Sequence, residues 1–471
     1  MKRAAWIAAG AIALAGCMET RPAAAPGGAA GAAGATNEAS AGPREEKGIA
    51  FVEEDVDGAM ARAKKEGKAL FVDVWAPWCH TCLSMKSYVL SDPSLKSLEE
   101  RVVFASIDSD REGSARFLAR HAVNVWPMFF VIDPATDRVV GSWPGSASLK
   151  EMRAFVEDSV ATMEASRAGT LAEGDPIRLV AEARAAQAGG DPAKAASTLA
   201  TAAAKLPADH PRRSEVLAAW VFALYSAKDW PACAKVAEAH LGDVRGAAVP
   251  ADFAATLLTC GEHLDDAEKA RTRTAAIAAL RRFTANPPAD ASADDRADAW
   301  STLGDALEDA GDAEGSRKAY EAKIAILERA AAEAKAPEQA ATFDYGRAMT
   351  YVTLGRGGYA IALLEAREKE MPASYEPPAR LASVLSRLGR HADAKVAVER
   401  AIAKSYGPRR LGYLRLRTKI LTAMGDRAGA LASLRDEVTG WEALPPGQAS
   451  PAQLADAKKR LADAEAAPKS P

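Results

Sequence analysis

The residues Ala69–Trp75 are apolar, β-branched or aromatic apart from Asp73, and after Ala76-Pro77-Trp78 they run into Cys79-His80-Thr81-Cys82. Such a run reads as a buried strand. The residues that follow, among them Leu83, Met85, Lys86, Tyr88 and Val89, read as a helix. Cys79 therefore falls at a strand-to-helix turn. The unpaired N–H groups and positive dipole end of a helix favour a thiolate there. A lowered pKa makes a sulfur both better populated as a nucleophile and a better leaving group. Cys82, one turn into the helix, can reach back and resolve a mixed disulfide. Zinc is the competing use of such a pair. A structural zinc site needs four ligands, and the chain has no second Cys-x-x-Cys. The reading requires neither a metal nor an organic cofactor.

Length and composition bound the rest. At 471 residues the chain has room for about three domains of roughly 150 residues. It is 48% apolar and 26% charged, enough to bury a core, and its 6% aromatic content leans toward Ala/Leu-packed helices. Lys+Arg 60 against Asp+Glu 63 gives a net charge of −3, which argues against a general nucleic-acid binder. No apolar run reaches the ~18 residues of a membrane-spanning helix, which argues against a channel or transporter.

The N-terminus reads as an export signal: Lys2-Arg3, an apolar stretch over 4–15, then Gly16-Cys17. Leu14-Ala15-Gly16-Cys17 resembles the lipobox of bacterial lipoproteins. That resemblance implies cleavage before Cys17 and acylation of Cys17; the alternative is an ordinary signal peptide with a chance cysteine. Residues 18–48 are mostly Ala, Gly and Pro and read as a flexible tether with an r.m.s. span on the order of 30 Å. The expected organisation is a signal over 1–16, the lipidated cysteine and linker over 17–48, an α/β domain over 49–165 and a helical domain over 170–465. The expected location is the bacterial cell envelope, with the chain held to the membrane by lipid and facing the periplasm or the outside.

Trp75-Ala76-Pro77-Trp78-Cys79-His80-Thr81-Cys82 resembles the W-A-x-W-C-x-x-C signature of the thioredoxin superfamily, and the likeness spans roughly 50–163. It implies a thioredoxin-like α/β fold with Cys79 and Cys82 as the redox pair. Asp73 matches the buried acid that handles the proton on the second cysteine. Trp126-Pro127, before an apolar strand over 128–132, matches the cis-proline facing the pair. Gly145, after a strand over 138–143, lies near the substrate groove, with Trp78 and Trp126 as further substrate-binding positions. Phe104 stands where many thioredoxins place a lysine, so the resemblance supplies Asp73 with no charge partner. His80 follows the first cysteine; as a cation it would tune the thiolate, and the alternative is an exposed spectator. His121 reads as a helix C-terminal dipole partner. Val56–Glu66 and residues 113–121 read as helices, 102–107 as a strand. Leu149, Met152, Phe155, Val156, Val160 and Met163 form one helical stripe. Ser91-Asp92-Pro93 with Leu95 and Leu98 is similar to the C-terminal periplasmic domain of the thiol:disulfide interchange protein DsbD. This implies a protein-disulfide reductase that acts on protein thiols or disulfides and is fed by an upstream thiol–disulfide donor.

Beyond about 170 the strand signal ends. Seven turn markers, Gly190, Asp229, Asp265, Gly311, Gly355, Gly389 and Gly425, stand 34 to 46 residues apart. Five residues after each comes Ala195, Ala234, Ala270, Ser316, Ala360, Ala394 or Ala430. Nine after come Leu199, Tyr320, Leu364, Val398 and Leu434 in five of the seven units. A small residue lets paired helices approach and a larger one fills the next gap. The pattern resembles tetratricopeptide repeats, best seen in Trp300-Ser301-Thr302-Leu303-Gly304 with Leu307, Gly311 and Tyr320; the alternative is a generic helical domain. The resemblance implies an all-α superhelix whose concave face binds a peptide or protein segment. Arg380, Arg387, Arg409, Arg410, Arg415 and Arg417 form either a basic face or an ordinary solvated surface. In stacked units the start of a second helix neighbours the end of the next unit's first helix. This predicts a structural disulfide between Cys233 and Cys260; two buried thiols are the alternative. The function expected is a thiol–disulfide oxidoreductase with a partner-binding array. An adaptor lipoprotein whose redox pair is secondary is the other reading.

Overall fold

The computed structural model of the chain describes residues 48–467; Cys17 and the expected signal and tether up to residue 47 lie outside the described residues. The first part alternates strand and helix: β1 (Phe51–Glu53), α1 (Val56–Glu66), β2 (Ala69–Trp75), α2 (His80–Tyr88), β3 (Val102–Asp108), α3 (Ala115–Leu118), β4 (Met128–Asp133), β5 (Arg138–Pro144) and α4 (Leu149–Arg167). The five strands form one sheet in the order β1-β3-β2-β4-β5. β1, β3 and β2 run parallel, β4 is antiparallel to β2, and β5 is antiparallel to β4. This is a thioredoxin-like α/β domain.

Strand alternation divides the core into two layers. Phe71, Phe104, Phe129 and Val131 point to one face, where α2 and α4 deliver Met85, Met152, Phe155 and Val156. Leu70, Val72, Val74, Ala105, Ile107 and Phe130 point to the other, against Val56, Ala59 and Ala63 of α1 and Phe117 of α3. Burying each large apolar side chain contributes on the order of 1.5–3 kcal/mol. Asp73 belongs by its period to the first face, which puts a carboxylate inside that layer. The helix expected over 113–121 shrinks to a 3₁₀ turn at Glu112–Ser114 and the single turn of α3, because Ala115 and Phe117 are the apolar side chains it has to bury. β1 carries only three half-buried or exposed residues and has no pattern that sequence reading could detect.

The remainder is helical: α5 (Pro176–Ala188), α6 (Pro192–Lys205), α7 (Arg213–Ser226), α8 (Trp230–His240), α9 (Val249–Gly261), α10 (Asp266–Ala285), α11 (Ala293–Asp309), α12 (Ala313–Glu333), α13 (Pro337–Ala341), α14 (Asp344–Thr353), α15 (Gly357–Glu370), α16 (Glu376–Arg387), α17 (His391–Lys404), α18 (Gly407–Ala423), α19 (Arg427–Ala443) and α20 (Pro451–Ala466). Each of the seven markers sits in the turn of a helix pair. The five glycines among them have φ between +74° and +83°, a left-handed conformation that ends the first helix without a Cβ penalty. Asp229 and Asp265 instead cap the second helix, accepting from Ala232 N and from Ala267 N and Glu268 N. The small positions are buried in six pairs; the third departs, because Ala270 is exposed and Thr272 packs against Gly261 in its place. The longest spacings come from α10 and α12, at 20 and 21 residues, together with the inserted α13. Cys233 of α8 and Cys260 of α9 are joined in a buried disulfide. Of the arginines, Arg415 pairs with Asp456 and Arg417 with Asp436.

Candidate active site

Cys79 is the N-cap of α2, and its Sγ accepts a hydrogen bond from Cys82 N at 3.0 Å. The two cysteines are joined in a disulfide with their Cα atoms 5.2 Å apart. Pro77 and Trp78 carry the chain from the end of β2 into the first turn of α2, so the sulfur is set against the helix N-terminus. Ala76 and the pair share an apolar cluster with Trp75, Trp78 and Trp126.

Asp73 is buried on β2, six residues before Cys79. Its Oδ2 accepts from Ser106 Oγ at 3.1 Å and stands 3.8 Å from Lys86 Nζ. Burial pushes the carboxyl up to about 6, against the pull of Lys86 and Ser106. Lys86 also bonds Ser106 Oγ at 2.9 Å and covers the Trp75 ring at 3.7 Å. Lys86 therefore fills the charge role left open by Phe104, which lies in the apolar layer. The signal was present in the sequence: Lys86 is four residues after Cys82, on the same helix face.

The Trp126–Pro127 peptide bond is cis. Gly145 N, with φ +79°, donates to Pro127 O at 2.8 Å, which ties the start of β4 to the loop after β5. Trp126 Nε1 donates to Ser109 Oγ at 2.9 Å, and its ring centre lies 5.4 Å from that of Trp78. Cys79, Cys82, Asp73, Trp78, Trp126, Pro127 and Gly145 thus gather around one end of β2. Cys233 and Cys260 lie apart in the helical array. His121 is a correction. It is buried against the rings of Phe117 and Phe130, and burial together with Arg120 lowers it to about 4. A neutral imidazole in a core does not serve a helix dipole.

The helical array closes over this site, leaving Cys79 5% and Cys82 1% exposed. On one side His80 faces α11. Its Nδ1 donates to Asp294 at 3.0 Å, and its Nε2 stands 3.9 Å from Asp298. Burial works against the charged ring, but Asp294 and Asp298 outweigh it and raise His80 to about 9. His80 stacks on Tyr345 of α14, and Tyr88 lies against Phe343. On the other side Trp78 Nε1 donates to Asp110 at 2.7 Å, and the Arg409 guanidinium lies 4.7 Å over the Trp78 ring. Arg409 is therefore part of neither a basic face nor a solvated one. Burial and the neighbouring Asp108 push Asp110 up to about 7. Tyr406 bonds Asp108, and Gln448 Nε2 donates to Ser109 O and Arg111 O, each at 2.8 Å. Gly407 has φ +53°, and a Cβ there would stand 1.8 Å from Asp110 O, so only glycine permits this approach. Asp294, Asp298 and Arg409 lie more than 200 residues from Trp78 and His80, and no local pattern announces them.

His80, Asp294 and Asp298 are the one group among the described residues whose ligand atoms lie within 4.8 Å, as a metal site would need. Both ring nitrogens already face a carboxylate, so the group is complete as an ion pair.

Residues 51–134 match the family described as Thioredoxin-like. None of the curated proteins matches the chain. Among solved structures the chain is similar to a tetratricopeptide repeat protein from Parabacteroides merdae ATCC 43184, at 15% identity and TM-score 0.41. It is also similar to the TPR2AB-domain:pHSP90-complex of yeast Sti1, at 14% and 0.22, and to the Assembly Chaperone of RpL4 (Acl4), at 15% and 0.32. Each likeness covers 62% of this chain and 98% of the other. The repeat architecture itself rests on the helix pairs and their turn residues.

Proposed function

We propose that the protein is an exported, lipid-tethered thiol–disulfide oxidoreductase working as a protein-disulfide reductase, in the manner of the DsbD C-terminal domain. Cys17 would carry the lipid and hold the chain in the bacterial envelope. The observation that carries the redox reading is the placement of Cys79 as N-cap of α2, bonded to Cys82 N, on the helix whose half-buried Lys86 faces the buried Asp73. In the reduced protein the Cys79 thiolate attacks a substrate disulfide. A Cys79–substrate disulfide forms, and one substrate sulfur leaves and takes a proton. Asp73 accepts the proton of Cys82, whose sulfur then attacks Cys79 Sγ and releases the second substrate sulfur. Two electrons and two protons pass to the substrate, and Cys79–Cys82 returns to the disulfide seen here. A dithiol protein donor restores it. The array holds the protein partner, and the pair is reached between the array and the loops at Trp126 and Gly145.

Insulin reduction with dithiothreitol as donor tests this. Cys79→Ser is expected to lose at least about 100-fold in rate; retained turnover would refute the assignment. A second reading, an adaptor with a secondary redox pair, is favoured by the near-complete cover over both sulfurs. Tight peptide binding by an inert wild type would support it.

A further inference from the structure

Trp78 and His80 stand on either side of Cys79 in sequence, and the array grips both. Arg409 of α18 lies over the Trp78 ring, and Tyr406 and Gln448 bind the neighbouring loop at Asp108, Ser109 and Arg111. Asp294 of α11 accepts from His80 Nδ1, and Tyr345 of α14 stacks on the ring. On the third side Thr81, Trp126 and Gly145 meet Ala248, Ala251 and Ala299 across a gap with room for about one water. A substrate disulfide has to bring two sulfurs, and the chain that carries them, up to Cys79 Sγ. The route between the array and the loops at Trp126 and Gly145 is therefore shut in this form.

The contact can separate without opening either core. Each apolar cluster of the described residues lies wholly within the thioredoxin-like domain or wholly within the array. What crosses between them beside the pair is hydrogen bonds, ion pairs and ring contacts. Polar interfaces between parts of one chain permit relative motion by default. Reduction also changes what the cover encloses. The disulfide is neutral, so enclosing it carries no charge penalty. The reduced pair carries a thiolate at Cys79, and burying that charge is costly. His80 is the cation next in sequence, but in the closed form its two ring nitrogens face Asp294 and Asp298.

We propose that the array is an autoinhibitory cover coupled to the redox state of the pair: it closes on the Cys79–Cys82 disulfide and is loosened by reduction. This rests on the redox reading above and adds its regulation. Two electrons and two protons from a dithiol donor convert the disulfide to two thiols, and the donor leaves as its own disulfide. In the open form Cys79 then releases its proton to solvent; in the closed form the buried sulfur keeps it. The open form therefore gains a state that the closed form lacks, and the coupling is reciprocal. With a thiolate pKa of about 7 at a helix N-terminus, reduction shifts the closed–open balance about tenfold toward open at pH 8. The nucleophile is thus uncovered more often when the pair holds electrons to pass on.

Hydrogen–deuterium exchange of the full chain at pH 8 tests the coupling, with the pair oxidised or reduced by dithiothreitol. Peptides spanning 291–299 and 405–413 should exchange at least about fivefold faster in the reduced protein. Equal exchange, with mass spectrometry showing Cys79 and Cys82 as thiols, overturns the inference. Cys79→Ser combined with Cys82→Ser should show no response to dithiothreitol; a response as large as that of the wild type traces to Cys233–Cys260 and also overturns it. Gly407→Ala, or Gln448→Ala if the first variant folds poorly, weakens the contact and should raise insulin reduction at least about threefold. Unchanged turnover overturns the autoinhibition and leaves the redox reading standing. No turnover by the wild type or by either variant overturns both.

Discussion

His80 links the redox helix to the array through its charge. Its pKa is raised from the ordinary 6.5 to about 9, chiefly because Asp294 and Asp298 outweigh burial. A group whose folded pKa lies above its unfolded value stabilises the fold fully below the unfolded pKa and loses that contribution as pH rises through the folded one. The two values imply about 3 kcal/mol at pH 6, about 2 kcal/mol at pH 7.5 and about 0.4 kcal/mol at pH 9. The perturbation is His80→Asn, which keeps a polar side chain and removes the titration. Urea denaturation of both proteins across this range gives the difference in unfolding free energy at each pH. That difference should fall toward zero between pH 7 and pH 9.5, and nuclear magnetic resonance should place the His80 titration near 9. A difference that is flat with pH, or a His80 that titrates near 6.5, would refute the claim that this ion pair holds the domains together.

Lys86→Met removes the cation nearest Asp73, so Asp73 should ionise above its present value of about 6; the rising limb of the pH–rate profile should move to higher pH, and an unmoved limb contradicts the assignment. Cys233→Ser opens a bridge between residues 27 apart and should destabilise the array by about 3.5 kcal/mol in the chain-entropy account, read by urea denaturation; a loss under about 1 kcal/mol contradicts it. Gly407→Ala puts a Cβ into Asp110 O and should loosen the cover, so that iodoacetamide alkylates reduced Cys79 at least about tenfold faster; equal rates contradict the account.

What could be read in the sequence was set by range. The run Ala69–Trp75 ahead of Cys79 declares a strand because period and branching act locally, and Asp73 stands out because it breaks that run. The turn markers are legible for a similar reason: a left-handed glycine or a capping aspartate has to occur where each helix pair reverses. Ala270 shows the limit, since one unit moved its small contact to Thr272 and Gly261 without changing its marker. Lys86 was legible only through its spacing from Cys82. The partners of His80 and Trp78 come from α11 and the start of α18. Their pairing depends on how the array curves back onto the sheet, which no local period encodes. Asp252, Asp295 and Asp298 are illegible for the same reason: they are ordinary helix-face residues until α9 and α11 are laid near Trp126 and Gly145.

The most direct measurement is a trap. In Cys82→Ser the resolving sulfur is gone, and Cys233 and Cys260 are bonded to each other. After this variant meets a disulfide peptide, mass spectrometry of the intact and digested protein should find one peptide per chain held through Cys79. A variant that captures nothing, or captures it at another cysteine, would contradict the assignment of Cys79 as the attacking sulfur.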